Sequence, residues 1–302
     1  MKFPPFLLPG DQVVIISPAG NIDREIAERG AQILRNLGFI VEIGHNAFEH
    51  EGVFAGSDSL RAADMQRALN DKSVKAIFFS RGGYGSVRTH TLLNWSSFFK
   101  KPKWLIGFSD ITVFHAFLSN HKIASMHGVM TAWFEKGGSL TDSFTEMVEL
   151  LRGKTPKYAL LPHEQNRLGA ATGILTGGNL SILLSLRGTP LDISPKGKIL
   201  FIEDIDEYHY HIDRMMYNLK TGGILEQISG LIVGYFTAIT DRETPFGKFS
   251  AAIIREAVAP YRYPVCFGFP AGHELPNRPL ILGSRILLDV SDKAVNIENM
   301  AR

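Results

Sequence analysis

Three residues with the means for acyl transfer stand close to where apolar, strand-like runs end. In chain order they are a serine, an acid and a histidine. Ser109 follows Trp104-Leu105-Ile106-Gly107 in KWLIGFSDIT, Glu203 lies at the end of KILFIED, and His273 sits in FPAGHELPNRP between Gly272 and Glu274. A serine hydroxyl is a weak nucleophile until a base takes its proton. An acid must then fix the tautomer of that base and stabilise the imidazolium that forms. The three residue types meet these requirements. Plainer readings stand beside them: Ser109 as the cap of the helix that follows, and His273 as a structural or exposed imidazole. Glu203 is singled out because a carboxylate leaving a buried strand is costly without a partner.

The loop SRGGYGS, residues 80–86, adds Gly82, Gly83 and Gly85 after another apolar run. Glycines take positive φ freely and let several backbone N–H groups face an anion. The loop lacks the Lys-Ser/Thr of a P-loop, and its spacing fails G-x-G-x-x-G. It and Ser109 are expected on neighbouring strand ends. There a loop N–H can join that of Asp110 in holding an oxyanion. Arg81 stands in the same loop and suits bidentate carboxylate binding, although a structural ion pair explains it equally well.

The stretch ILFIEDIDEYHYHIDRMMYNL holds Glu203, Asp204, Asp206, Glu207, His209 and His211 close together. Yet Ile212, Met215, Met216 and Leu219 repeat at helical spacing, so a helix begins near Tyr208. On a helix His209 and His211 point about 200° apart and cannot chelate one ion together. No metal site is expected.

The first half alternates short apolar strands with amphipathic helices. QVVIISPA, FIVEIG, KAIFFSRG and WLIGFS read as strands, and ASMHG as a further one. REIAERGAQILRNLG, SLRAADMQRALND and DITVFHAFLSN read as helices. The first of these helices is expected to bury Ile26, Ile33, Leu34 and Leu37, and the second to be capped by Ser57 or Ser59. This order predicts a parallel sheet with ligands outside the carboxyl ends of its strands. The pattern loosens over 154–170. The expected domains are therefore 1–153, carrying Ser109, and 171–302, a mixed α/β domain carrying Glu203 and His273.

The 302 residues are 45% hydrophobic and 21% charged, with a net charge of +2. That is a globular balance, and no run of like charge suggests nucleic acid or a membrane surface as partner. No apolar stretch has the length to span a bilayer. The opening MKFPPFLLPGD is broken by prolines and reads as part of the mature fold. Cys266 is the only cysteine, which excludes an internal disulfide and suits a reduced, cytoplasmic compartment.

Taken together, SRGGYGS, IGFSDIT, FIEDIDE and PAGH, with FAGSDSLRAADMQRAL and GDQVVIISPAG, make the chain resemble the murein LD-carboxypeptidases. These are serine peptidases that also include microcin-immunity peptidases. The resemblance runs over essentially the whole chain. It implies a flavodoxin-like N-terminal domain, a mixed α/β C-terminal domain and an active site in the groove between them. Carried over motif by motif, Ser109 is the nucleophile, His273 the general base and Glu203 the residue that orients it. Gly83 and Asp110 then supply the oxyanion-hole amides. Ile111 stands where a G-x-S-x-G elbow has its second glycine, which fits the family's G-x-S-D.

The implied reaction releases the terminal D-alanine of murein tetrapeptide during peptidoglycan recycling. It needs no metal or organic cofactor, and the family suggests a homodimer. Two other readings compete: a peptidase of the same fold acting on a peptidyl-nucleotide antibiotic, and a non-catalytic protein that binds a small ligand. A glutamine amidotransferase-like hydrolase needs a cysteine on the elbow, and Cys266 lies far from it in sequence.

Overall fold

A computed structural model describes residues 1–300. The strands in chain order are β1 (Gln12–Ile16), β2 (Ile40–Ile43), β3 (Val74–Phe79), β4 (Trp104–Gly107), β5 (Ser125–His127), β6 (Glu135–Lys136), β7 (Ser139–Leu140), β8 (Lys157–Leu160), β9 (Gly169–Asn179), β10 (Lys198–Ile205), β11 (Gly230–Thr237), β12 (Val265–Cys266), β13 (Leu280–Leu282), β14 (Arg285–Val290) and β15 (Val295–Asn299). The helices used below are α1 (Arg24–Asn36), α2 (Asp58–Asn70), α3 (Ser86–His90), α4 (Ser96–Lys100), α5 (Thr112–Asn120), α6 (Asp142–Leu151), α7 (Leu180–Ser185) and α8 (His209–Thr221).

Two compact units form. One comprises Met1–Lys154 with Arg278–Ile281, the other Thr155–Asn277 with the chain from Leu282 onward. The first unit holds a six-stranded sheet in the order β13-β5-β4-β3-β1-β2. Strands β1 to β5 pair in parallel, in the flavodoxin-like order 2-1-3-4-5. Strand β4 is buried throughout, and β3 nearly so, the continuous apolar pattern of strands covered on both faces. Because β1 pairs with β3 and β3 with β4, the loops leaving their carboxyl ends become neighbours. These loops carry Gly20, Gly82–Gly85 and Ser109. The sheet's β13 edge comes from late in the sequence, and in the same unit Arg278 makes a two-pronged ion pair with Glu146 of α6 at 3.0 and 2.7 Å.

Helix α1 turns a different face inward from the one its large residues suggest. Ala27, Gly30, Ala31 and Leu34 are buried, whereas Ile26 is 40% exposed. Close approach explains this: a Cβ on Gly30 would lie 2.0 Å from Thr131 Cγ2, so only a small-residue stripe fits. Helix α2 is capped by Ser57, whose hydroxyl accepts the Leu60 N–H.

The second unit has a seven-stranded mixed sheet, β12-β11-β10-β9-β14-β15-β8. Strands β9 to β12 run parallel, and β14, β15 and β8 add antiparallel. Strand β8 falls inside the stretch expected to join the domains. Its buried Tyr158 sets its ring edge-on to Phe269 at 5.3 Å. Strand β9 presses against β10 at Gly177, whose φ is +129°, and a Cβ there would sit 1.9 Å from the Phe201 carbonyl oxygen. Gly177→Ala should therefore destabilise the protein by more than about 2 kcal/mol, from backbone strain plus steric clash. Urea unfolding followed by circular dichroism checks this through a lower midpoint.

Candidate active site

Ser109 lies where β4 hands over to α5 through a 3-10 turn, and its backbone is left-handed, with φ 62°. Such a conformation costs a non-glycine residue about 1–2 kcal/mol, so the surroundings must enforce it. Gly107 makes the tight exit possible: a Cβ there would meet Ile111 Cγ1 at 2.9 Å. The Gly107 carbonyl accepts from His115 Nε2 at 2.9 Å and from the Gly128 N–H at 3.2 Å. Ser109 does not serve as a cap, because neither the 3-10 turn nor α5 receives a side-chain cap bond at its start. Its hydroxyl is left for other use.

The glycine loop packs directly on this serine. A Cβ on Gly82 would lie 3.1 Å from Ser109 Cβ and 3.2 Å from its Oγ. Gly83 takes φ +99° and Gly85 φ +138°. Asp110 is buried, and its carboxylate accepts the Ser86 N–H at 2.8 Å, tying the serine turn to the first residue of α3. Burial raises the Asp110 pKa, and the Ser86 bonds pull it partly back. Arg81 is exposed and donates to the Asn21 carbonyl at 3.3 Å. It lines a cavity of about 290 Å³ with Asn21, Asp23, Met130 and Trp133.

The second unit brings Glu203 and His273 together. Glu203 is fully buried on β10, at the point where the pairing with β11 shifts register. Such a bulge re-aims a side chain. Its Oε2 lies 2.7 Å from His273 Nδ1. A carboxylate oxygen only accepts, so Nδ1 carries the proton. Two glycines admit this pair: a Cβ on Gly272 would be 3.1 Å from Glu203 Oε2, and one on Gly234 would be 3.2 Å from Glu203 Cβ. Asp204 takes different partners, namely Asn179 Nδ2 and the Ser181 N–H, each at 2.9 Å. Burial, then the neighbouring Glu203 charge, pushes the Asp204 pKa up to about 7. His209 begins α8, and His211 Nδ1 is taken up by Glu207.

The sequence reading does not pick out two supports of the first unit. Arg61 is a fully buried cation in α2, and it stands among Ala62, Met65, Ala68 and Leu69 on the buried face. A charge inside an apolar stripe is the signal that marks it. His115 is also buried, bonded to Gly107 O and, through Nδ1, to Ser125 Oγ at 2.8 Å. Nothing in its one-dimensional setting announces that role.

Burial pushes the His115 pKa from 6.5 down to about 4. The unfolded chain thus binds a proton more readily than the folded one, and this contribution to stability is lost as pH falls from 6.5 to 4. The loss amounts to roughly 3 kcal/mol. Urea unfolding at a series of pH values should show a flatter dependence over that window for His115→Gln than for wild type. Comparing the two proteins removes the opposite contribution of Asp204.

The chain is similar to known proteins along nearly its whole length. Residues 13–128 match the LD-carboxypeptidase N-terminal domain and residues 172–288 the LD-carboxypeptidase C-terminal domain. The chain is 32% identical over 299 residues to the probable murein peptide carboxypeptidase of Bacillus subtilis, covering 98% of this chain and 94% of that protein. It is 28% identical over 298 residues to the murein tetrapeptide carboxypeptidase of Pseudomonas aeruginosa, covering 92% and 93%. The crystal structure of muramoyltetrapeptide carboxypeptidase from Oxalobacter formigenes superposes with a TM-score of 0.88 at 27% identity, over 96% of this chain and 99% of that one. The microcin immunity protein MccF, solved with glutamyl sulfamoyl guanosine, shares the fold at a TM-score of 0.87 and 19% identity, over 98% of each chain. With both of its halves matched in order, the chain belongs to the LD-carboxypeptidase family of peptidases.

Proposed function

We propose that this protein is a serine carboxypeptidase that releases the C-terminal D-alanine of murein tetrapeptide, in the cytoplasmic recycling of peptidoglycan. The observation that carries the proposal is the left-handed backbone of Ser109 at a strand-to-helix turn, with a hydroxyl spent on no cap. A strained serine of this kind is the hallmark of a nucleophile elbow. The Glu203–His273 pair supports it, since an imidazole whose Nδ1–H is held by a carboxylate keeps Nε2 as the basic nitrogen. The relatives named for murein peptides supply the substrate class.

In this reading His273 takes the Ser109 proton as the oxygen attacks the carbonyl of the scissile amide. The tetrahedral oxyanion is held by the N–H groups of Gly83 and Asp110. His273 then gives its proton to the departing amine, and D-alanine leaves. Water, deprotonated by the same imidazole, resolves the ester and restores the serine. Glu203 stabilises the imidazolium that forms. In the same reading Arg81 pairs the free carboxylate of the substrate.

Incubation with murein tetrapeptide, with free D-alanine measured by a D-amino acid oxidase assay, tests the activity. Wild type should release D-alanine, and Ser109→Ala should lose roughly 10⁴-fold or more in kcat. Glu203→Gln, which keeps the shape but unsettles the tautomer, should lose about 10⁴-fold. Absence of D-alanine release by folded wild type refutes the substrate. Full activity in Ser109→Ala refutes the mechanism. The proposal also includes a homodimer, so sedimentation should give a species of twice the 33.5 kDa chain mass, and a monomer at every concentration tested would exclude it.

A further inference from the structure

Arg61 is 1% exposed, and no step proposed above uses it. A guanidinium offers five N–H donors and accepts nothing, so burying one demands acceptors on several sides. Its Nη1 donates to the Pro18 carbonyl at 2.8 Å, the Gly85 carbonyl at 3.1 Å and Thr89 Oγ1 at 2.9 Å. Its Nε donates to the Gly56 carbonyl at 3.2 Å, and Nη2 pairs with Asp58. Thr89 Oγ1 in turn donates to the Pro18 carbonyl at 2.8 Å. One buried cation therefore joins the loop after β1, the loop after β3 and the start of α2.

The two strand-end loops meet at a single backbone bond. The Gly20 N–H donates to the Gly82 carbonyl at 2.9 Å, and a Cβ on Gly20 would lie 2.8 Å from that oxygen. In a trans peptide the carbonyl of one residue and the N–H of the next point in opposite directions. Holding the Gly82 oxygen on Gly20 therefore turns the Gly83 N–H away from Gly20. Ser17 Oγ and Ser80 Oγ, 2.6 Å apart, brace the same two loops from below.

We propose that Arg61 is a positioning residue of the acyl-transfer site: by gripping the Pro18 and Gly85 carbonyls it keeps the Gly82 carbonyl on Gly20 and the Gly83 N–H aimed at the oxyanion. The inference rests on the reading of Ser109 as nucleophile. Oxyanion donors stabilise a transition state only when they are held in place before charge develops. Gly82 and Gly83 have no side chains of their own to hold this peptide, so bonds from outside the loop must add to the tethers of Ser80 and Arg81. Lysine cannot replace the arginine, because an ammonium lacks the planar fork that reaches several carbonyls at once.

The test compares Arg61→Lys, Arg61→Gln and Thr89→Val with wild type. It measures kcat and KM for D-alanine release, the rate at which a fluorophosphonate labels Ser109, and thermal unfolding. Expected are a fall in kcat of about 10- to 100-fold for the Arg61 variants and a smaller one for Thr89→Val. KM should move less than threefold, and labelling should slow in step with kcat. A purely structural role would lower the melting temperature and leave kcat and labelling of the folded enzyme unchanged, which overturns the proposal. A rise in KM at constant kcat overturns it as well. Should the Arg61 variants fail to fold, Thr89→Val decides, since it keeps the buried charge while removing one of its partners; wild-type kcat and labelling in that variant reject the inference. Wild type that is labelled at Ser109 yet releases no D-alanine discards only the substrate, and the labelling rates still test Arg61. Folded wild type with neither labelling nor release discards the nucleophile and this inference together.

Discussion

A serine forced into left-handed backbone is a local cost that neighbours must cover, and much of the first unit can be read as the means of covering it. Gly107 lets Ile111 close over the turn. The Gly107 carbonyl is gripped by a histidine that burial keeps neutral and by the Gly128 amide. Asp110 reaches back to the start of α3. None of these contacts depends on an exposed charge, so solvent screening does little to weaken them. The parallel sheet supplies a rigid floor, and its strand order sets the loops after β1, β3 and β4 side by side.

The second unit obeys a different constraint, the cost of a buried carboxylate. Glu203 and Asp204 are consecutive, both buried, and must not compete for one partner. Consecutive side chains on a strand point to opposite faces, which separates them. Glu203 meets an imidazole, whereas Asp204 receives the Asn179 amide and the first turn of α7. Asp204, pressed by burial and by its neighbour's charge, sits close to the point of protonation near neutrality. The two carboxylates thus do separate work: one faces the histidine, the other holds up a short helix.

Much of the fold was readable from period and punctuation. Continuous apolar runs such as Trp104–Gly107 mark buried parallel strands, and the start of α2 is marked by two serines, Ser57 and Ser59, of which Ser57 is the cap. On α1 residue size points to Ile26 and Ile33 as the buried face, but the packing distance demands Ala27, Gly30 and Ala31. Strand β8 was hidden within a polar stretch for a related reason. An edge strand needs only one good anchor, Tyr158, and the rest of it can look like a linker.

By itself the sequence determined the sheet class, the succession of elements and the places where polar residues interrupt apolar runs, since these follow from covalent order and local periodicity. It also carried the motifs that mark the family. The tertiary structure alone decided that Ser109 has left-handed backbone, that Glu203 and His273 lie 2.7 Å apart across 70 residues of chain, and that Arg61 bonds to loops on two other strands. Those outcomes depend on pairing register and on packing distances between segments remote in sequence. No local pattern encodes them, because each is set by which strand lies beside which.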